Sequence, residues 1–216
     1  MNHHPFFYFL KERSQASLPG IEAHMKMSPV PLNPDYVLPG GDSELAHPSG
    51  VMVLLFPNEQ QELKIVLTLR TNTIRHAGQI SFPGGRAEPG EELKQTALRE
   101  TEEEVGISPN LIHVVCSLSP FTLHKSGNRI TPFVGFLRER PKLYPNPEEV
   151  QEVFSCKLDK LMDDHTLKRR KWSLMDDDFE VPYWDIHDVP LWGATAMMLS
   201  ELLELYSEYK STNPHK

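Results

Sequence analysis

Cysteine is nearly absent from this chain, with two residues in 216, Cys116 and Cys156. Two thiols cannot build a disulfide framework, and no C-x-x-C pair marks a zinc site. The shortage predicts a fold held by its apolar core in a reducing compartment, which we take as the cytoplasm. Also missing is any apolar run near the roughly 20 residues that a bilayer-crossing helix needs. The stretch Phe6-Phe7-Tyr8-Phe9-Leu10 has neither a cationic lead nor a small-residue cleavage site, so a short helix or arm packed on the domain is expected there. Positive charge is scarce too, since 22 Lys and Arg face 30 Asp and Glu for a formal net charge of −8. That balance argues against a protein that coats nucleic acid or lies on an anionic membrane.

What is present is the composition of an ordinary globular chain, 39% hydrophobic and long enough to bury one full core. Turn pairs such as Pro19-Gly20 and Pro39-Gly40-Gly41 dominate a weakly periodic opening. They predict an irregular lead-in over residues 1–40, packed on a domain spanning 41–216. Dense apolar runs at 51–56 and 63–69, joined by a polar turn, read as two strands buried on both faces. Further strands are expected at 112–117, 130–137, 153–158 and around 180–183. Two helices stand out, at 91–104 and 191–209. In the second, Leu191, Thr195, Met198, Leu202, Leu205 and Tyr209 recur at three- and four-residue steps and mark a core-packing helix. The order of elements predicts an α/β fold in which helices cover a mixed sheet.

The first helix carries the chemistry. Leu93, Ala97, Thr101 and Val105 are four apart and form its buried face, and Gly106 followed by Ile107 is a left-handed helix end. Glu100, Glu103 and Glu104 share another face, while Glu102 points to solvent. Like charges at those spacings repel by about 0.2–0.5 kcal/mol per pair. Anions at a helix carboxyl end also oppose the macrodipole, by about 0.3–1 kcal/mol each. A solvated acidic face tolerates such costs. A divalent cation turns them into binding, and oxygen ligands without His or Cys select Mg²⁺ or Mn²⁺. Just upstream, Phe82-Pro83-Gly84-Gly85 offers a loop whose backbone can approach a ligand closely.

Together, Gly85-(five residues)-Glu91-(seven residues)-Arg99-Glu100-Thr101-Glu102-Glu103-Glu104-Val105-Gly106-Ile107 resembles the Nudix box, with Thr101 standing where the family usually has an aliphatic residue. The resemblance implies an α/β/α sandwich with a mixed sheet, and hydrolysis of a nucleoside diphosphate linked to another moiety. It implies Glu100, Glu103 and Glu104 as ligands of Mg²⁺ or Mn²⁺, with Glu103 and Arg99 in the catalytic set and Arg99 orienting a glutamate. Gly84 and Gly85 would shape the substrate loop. Glu91 would brace the loop–helix junction or join the outer metal shell, and Gly106 would end the helix.

Upstream, Leu67-Thr68-Leu69-Arg70 and Arg75-His76-Ala77-Gly78-Gln79-Ile80-Ser81-Phe82-Pro83-Gly84-Gly85 are similar to the extra motif of the coenzyme A pyrophosphatase branch. Thr71 replaces the usual Ser or Ala, and Arg75 lies one residue nearer to Gly78 than that pattern asks. Arg70 and Arg75 suit a phosphate-rich substrate. Stretches at 130–135, 147–154 and 191–196 look like the same branch. Glu149 is a candidate base or extra ligand, and His124 a candidate substrate contact. The expected reaction is cleavage of coenzyme A or acyl-CoA to 4′-phosphopantetheine and 3′,5′-ADP. Alternatives are hydrolysis of ADP-ribose, dinucleotides or oxidised nucleotides, or a nucleotide-sensing module without turnover. The expected partner is a small nucleoside diphosphate, not nucleic acid or membrane, bound by a monomer or homodimer.

Overall fold

Alternation along β2 (His47–Pro57) sets the architecture. Met52, Leu54 and Phe56 enter one apolar cluster and Val53 and Leu55 another, so this strand is buried on both faces. The structure, a computed structural model, describes residues 3–36, 47–71, 78–123, 128–174 and 177–213. β3 (Leu63–Arg70) returns antiparallel to β2 and takes β9 (Val150–Lys157) on its other side. Across β2, β8 (Asn128–Phe136) runs parallel from His47↔Asn128 to Leu55↔Phe136. β6 (His113–Ser117) and β7 (Phe121–Leu123) pair antiparallel with β8, which completes a mixed sheet of the expected kind.

Helices close both faces. α3 (Leu93–Val105) lays Ala97 and Val105 on Met52, Leu54, Phe56 and Val66. On the opposite face, α5 (Gly193–Thr212) packs Leu199, Leu202, Leu205 and Tyr206 with Val53, Leu55, Ile65 and Leu67. Thr101 in the buried stripe of α3 is satisfied locally, because its hydroxyl donates to the Ala97 carbonyl at 2.6 Å.

β2 and β3 pair only from Leu55↔Ile65 to Pro57↔Leu63, then diverge. Residues 80–86 fill the gap. β4 (Ile80–Ser81) pairs with Leu69 and Thr68 of β3, and β5 (Gly84–Arg86) pairs with Val51, Gly50 and Ser49 of β2. The Met52 N–H donates to the Pro83 carbonyl at 2.8 Å. The glycine loop is thereby sewn into the sheet beside the start of α3.

The opening residues are more regular than their turn pairs predict. α1 (Pro5–Arg13) starts with Pro5 at its first position and a His4 ring nitrogen accepting the Phe6 N–H at 3.1 Å. Phe6 and Leu10, four apart, are fully buried, with the Phe6 ring against Phe136, Tyr206 and Tyr209. α2 (Gly20–Met25) buries Ala23 and His24 against α5. There Glu201 of α5, 0% exposed, accepts from His24 Nε2 at 3.0 Å, the Gly20 N–H at 3.0 Å, and the Ser119 N–H and hydroxyl at 3.1 and 2.7 Å. One carboxylate thus ties α2, α5 and the loop before β7.

A second sheet joins β1 (Val30–Pro31), β11 (Asp177–Trp184) and β10 (Leu167–Leu174). β10 escapes the hydrophobic pattern because it is polar and largely exposed. An unbroken ladder to β11 holds it, with Trp172 on Tyr183 and the exposed Lys168–Asp185, Arg169–Glu180 and Lys171–Asp178 pairs along its faces. A short helix, α4 (Leu158–Leu161), buries Leu158 and Leu161 at the end of β9.

Candidate active site

A cavity of about 500 Å³ opens where β3, β4, β5, the N-terminal half of α5 and the polar face of α3 meet. The helical repeat decides which glutamates reach it. At about 100° per residue, Glu100 and Glu104 lie on one stripe and Glu103 is turned away from Glu104. One oxygen each of Glu100, Glu104 and Glu149 lies within 4.8 Å of the others. Glu149 arrives from the loop ahead of β9, where its carbonyl accepts the Thr71 N–H at 3.0 Å. The β3–β9 register shifts between Leu69 and Arg70, and such irregularities re-aim side chains beside sites.

Glu104 is 1% exposed and has few donors for a buried carboxylate, with Arg70 Nη1 at 3.4 Å and the Gly84 N–H at 3.3 Å. Burial pushes its carboxyl up to about 7 against the pull of Arg70 and Gly84, and Glu100 and Glu149 push it the same way. Burial also raises Glu100, although Arg99 opposes this. Three crowded carboxylates, two of them costly to ionise, fit a divalent cation. A donor set of oxygens alone favours Mg²⁺ or Mn²⁺ over zinc.

Arg99 organises the other side of the helix. Its Nε and Nη2 grip Glu91 at 2.9 and 3.1 Å, and Nη1 donates to Glu100 at 3.0 Å and Glu103 at 2.9 Å. Nη2 also reaches the Arg86 carbonyl at 3.3 Å, which fastens the loop to the helix. Glu91 further accepts the Glu88 N–H and the Thr96 hydroxyl, at 3.0 and 2.8 Å. Its carboxyl is held down at about 2, first by the Arg99 hydrogen bonds and then by the Glu88 amide. Glu91 is thus a brace of the loop–helix junction. Glu103, its side chain 53% exposed, sits on Arg99 and not among the three converging carboxylates. Glu149, offered by the sequence as a candidate base or extra ligand, is the third carboxylate that converges with Glu100 and Glu104.

Gly85 has a local reason. A Cβ on it would stand 2.3 Å from a Glu100 carboxylate oxygen. Gly85→Ala should displace that carboxylate and lower Mn²⁺ affinity by roughly tenfold, as losses around metal ligands typically do. Mn²⁺ titration calorimetry checks this, and unchanged affinity would show that Glu100 does not serve the cation. Gly106 ends α3 with φ 71° and its N–H on the Glu102 carbonyl at 2.9 Å.

Of the remaining expected site residues, Arg70 and Gly84 line the cavity, while Arg75 and His124 fall outside the described residues. Ser49, Asn128 and Met198 line it as well and carried no sequence signal as site residues. Trp192 also lines it, and its only signal was its place in a branch-like stretch.

Helices on both faces of a mixed sheet, with a glycine loop feeding an acidic helix, define a Nudix-type α/β/α sandwich. A model of the NUDIX domain matches residues 46–177, and the chain belongs to that family. Nudix hydrolase 3 of Caenorhabditis elegans is 32% identical over 181 residues, 76% of this chain and 75% of that protein. From Arabidopsis thaliana, Nudix hydrolase 15, mitochondrial, is 36% identical over 70% of this chain, and Nudix hydrolase 22, chloroplastic, 31% over 88%. The chain spans 55% and 61% of the lengths of those two. In structure it resembles a C. elegans Ap4A hydrolase, with a TM-score of 0.53 and 16% identity over 77% of this chain and 99% of that one, a likeness of fold alone.

Proposed function

We propose that the protein is a divalent-metal-dependent pyrophosphohydrolase that cleaves coenzyme A or its thioesters to 4′-phosphopantetheine and 3′,5′-ADP. The observation that carries the reaction type is the convergence of Glu100, Glu104 and Glu149 at a cavity walled by Gly84, Gly85 and Arg70. Glu100, Glu104 and Glu149 would hold Mg²⁺ or Mn²⁺, which when bound neutralises diphosphate oxygens and makes water a better nucleophile. The chain's own residues do the rest. Arg99 and Glu91 fix the loop against the helix, so that Gly84 and Gly85 present bare backbone to the diphosphate. Glu149, held by its loop and not by α3, brings a carboxylate to the same point from a second element. Arg70 offers the cavity a guanidinium from the end of β3.

Coenzyme A is favoured because Arg70, Gln79, Phe82, Gly84 and Gly85, all from the branch-like motif, line this cavity. The test is a panel of coenzyme A, dephospho-coenzyme A, ADP-ribose and diadenosine tetraphosphate, with products identified by mass spectrometry. Coenzyme A should have the highest kcat/KM. Arg70→Ala should reduce the preference for coenzyme A over its dephospho form by about tenfold or more, the loss of one charge-assisted hydrogen bond. Equal losses on both would take Arg70 away from the 3′-phosphate. Better turnover of ADP-ribose or the dinucleotide would replace coenzyme A as substrate and keep the reaction.

A further inference from the structure

The cavity wall supplied by β2, β7, β8 and α5 has a different chemistry from the acidic side. Every charged lining residue comes from β3, β5, α3 or the loop before β9. On the other wall the described residues are uncharged, with Ile130, Met198 and Trp192 giving apolar surface. Ser49 and Asn128 interrupt that surface. They lie on adjacent strands, Ser49 opposite Ile130 and Asn128 two residues before Ile130, so all three share the sheet face that looks toward α5.

Ser49 is 4% exposed, and its hydroxyl oxygen has no hydrogen-bond partner among the described residues. The same holds for the buried side-chain oxygen of Asn128. Native structures rarely leave such atoms unpaired, so a hydroxyl and an amide oxygen at a cavity wall are free to bond water or a ligand there. Trp192 lines the same cavity, and its neighbours set its orientation. Trp172 of β10 meets it edge-on at 5.0 Å, and Gly193, at φ 68°, turns the chain directly into α5.

We propose that this wall is a nucleobase subsite, in which Trp192 and Ile130 flank the ring and the Ser49 hydroxyl and Asn128 amide read its polar edge. The proposal rests on the pyrophosphohydrolase reading but not on the choice of coenzyme A, since ADP-ribose and diadenosine tetraphosphate carry the same base. A planar ring with donors and acceptors on its rim matches an aromatic wall interrupted by two neutral polar groups. The strand register sets Arg86 of β5 opposite Ser49, at the edge of this wall nearest the charged side, and no other cation among the described lining residues stands on the wall itself. The pantetheine arm, a flexible chain of amides, gains little from a fixed indole.

Binding of AMP, ribose 5-phosphate and 4′-phosphopantetheine, measured by calorimetry with Mg²⁺ present, tests this on the full chain. AMP should bind about tenfold more tightly than ribose 5-phosphate, the usual worth of one stacked base. Ser49→Ala and Asn128→Ala should each weaken AMP by about fivefold, the worth of one hydrogen bond at the base edge, and leave ribose 5-phosphate and 4′-phosphopantetheine unaffected. Ser49→Ala removes an unpaired buried hydroxyl, so it should fold at least as well as the parent. Equal binding of AMP and ribose 5-phosphate by the parent would overturn the proposal. So would variants that keep the AMP advantage, or that weaken 4′-phosphopantetheine instead. A base advantage that persists without turnover of any diphosphate would support the subsite and remove the proposed reaction.

Discussion

Glu104→Gln is expected to lower kcat on the order of 10²–10³-fold, the scale set by losing one preorganised electrostatic contact, while the metal-free protein stays at least as stable. The side chain is buried, has no short hydrogen bond, and shares its surroundings with Glu100 and Glu149. Without a cation its charge is a burden, which a neutral amide of the same shape removes. The pH dependence gives the sign. Burial raises the folded carboxyl from 4.5 to about 7, so the native state binds the proton more tightly than the unfolded chain does. Metal-free stability should therefore decline as pH rises from 4.5 towards about 7. The variant should lose this slope, and saturating Mg²⁺ should flatten it in the parent, because the cation takes the proton's place. Thermal melts in EDTA and in Mg²⁺, beside steady-state kinetics, read both effects. Undiminished turnover, or an unchanged slope in the variant, would remove Glu104 from the metal site. Mn²⁺ affinity should also fall further in Glu104→Gln than in Glu103→Gln, since Glu103 stands on Arg99.

The largest stability loss is expected far from the chemistry. Glu201→Ala should destabilise the fold by about 3–5 kcal/mol, the usual cost of breaking a buried charge network. For a chain of this size that is a fall of roughly 6–20 °C in Tm. The alanine would leave the Gly20 and Ser119 amides, the Ser119 hydroxyl and the His24 ring without their shared acceptor. Burial alone would push the Glu201 carboxyl up, but donors from His24, Ser119 and Gly20 outweigh it and the net shift is down. Its contribution is thus present above 4.5 and lost as pH falls through the lowered folded value, a window below that of Glu104. Calorimetric melts of Glu201→Ala and Glu201→Gln decide this, with the amide intermediate. A change in Tm under about 2 °C for the alanine would mean that the neighbouring donors find water or other acceptors.

How much of this could be read from the sequence depended on how local the cause is. Helical periodicity gave α3, and unbroken apolar runs gave β2 and β3, because a strand buried on both faces has no polar side to alternate with. Gly106 was legible locally too, as a left-handed residue closing a helix. The resemblance singled out Glu149, but only the fold shows it meeting Glu100 and Glu104, since 45 residues separate Glu149 from Glu104. The Glu201 network joins three segments that no spacing connects. Its one trace was a carboxylate amid Leu199, Leu202 and Leu203, which a helix-face reading absorbs without notice. β10 escaped because it is polar, largely exposed and held by its backbone ladder to β11, which leaves no hydrophobic period in its sequence.

The insertion of β4 and β5 between the diverging halves of β2 and β3 has a kinetic consequence. A glycine pair beside a ligand cavity ordinarily suggests a gate that swings on the microsecond scale. Here the residues on either side are hydrogen-bonded into strands, and Arg99 ties Arg86 to α3. Opening that segment would mean unzipping part of the central sheet, so its amides should exchange with deuterium as slowly as core strand amides do. A ligand entering this cavity should therefore meet the glycine segment in one shape, with no hinge there to carry an opening motion.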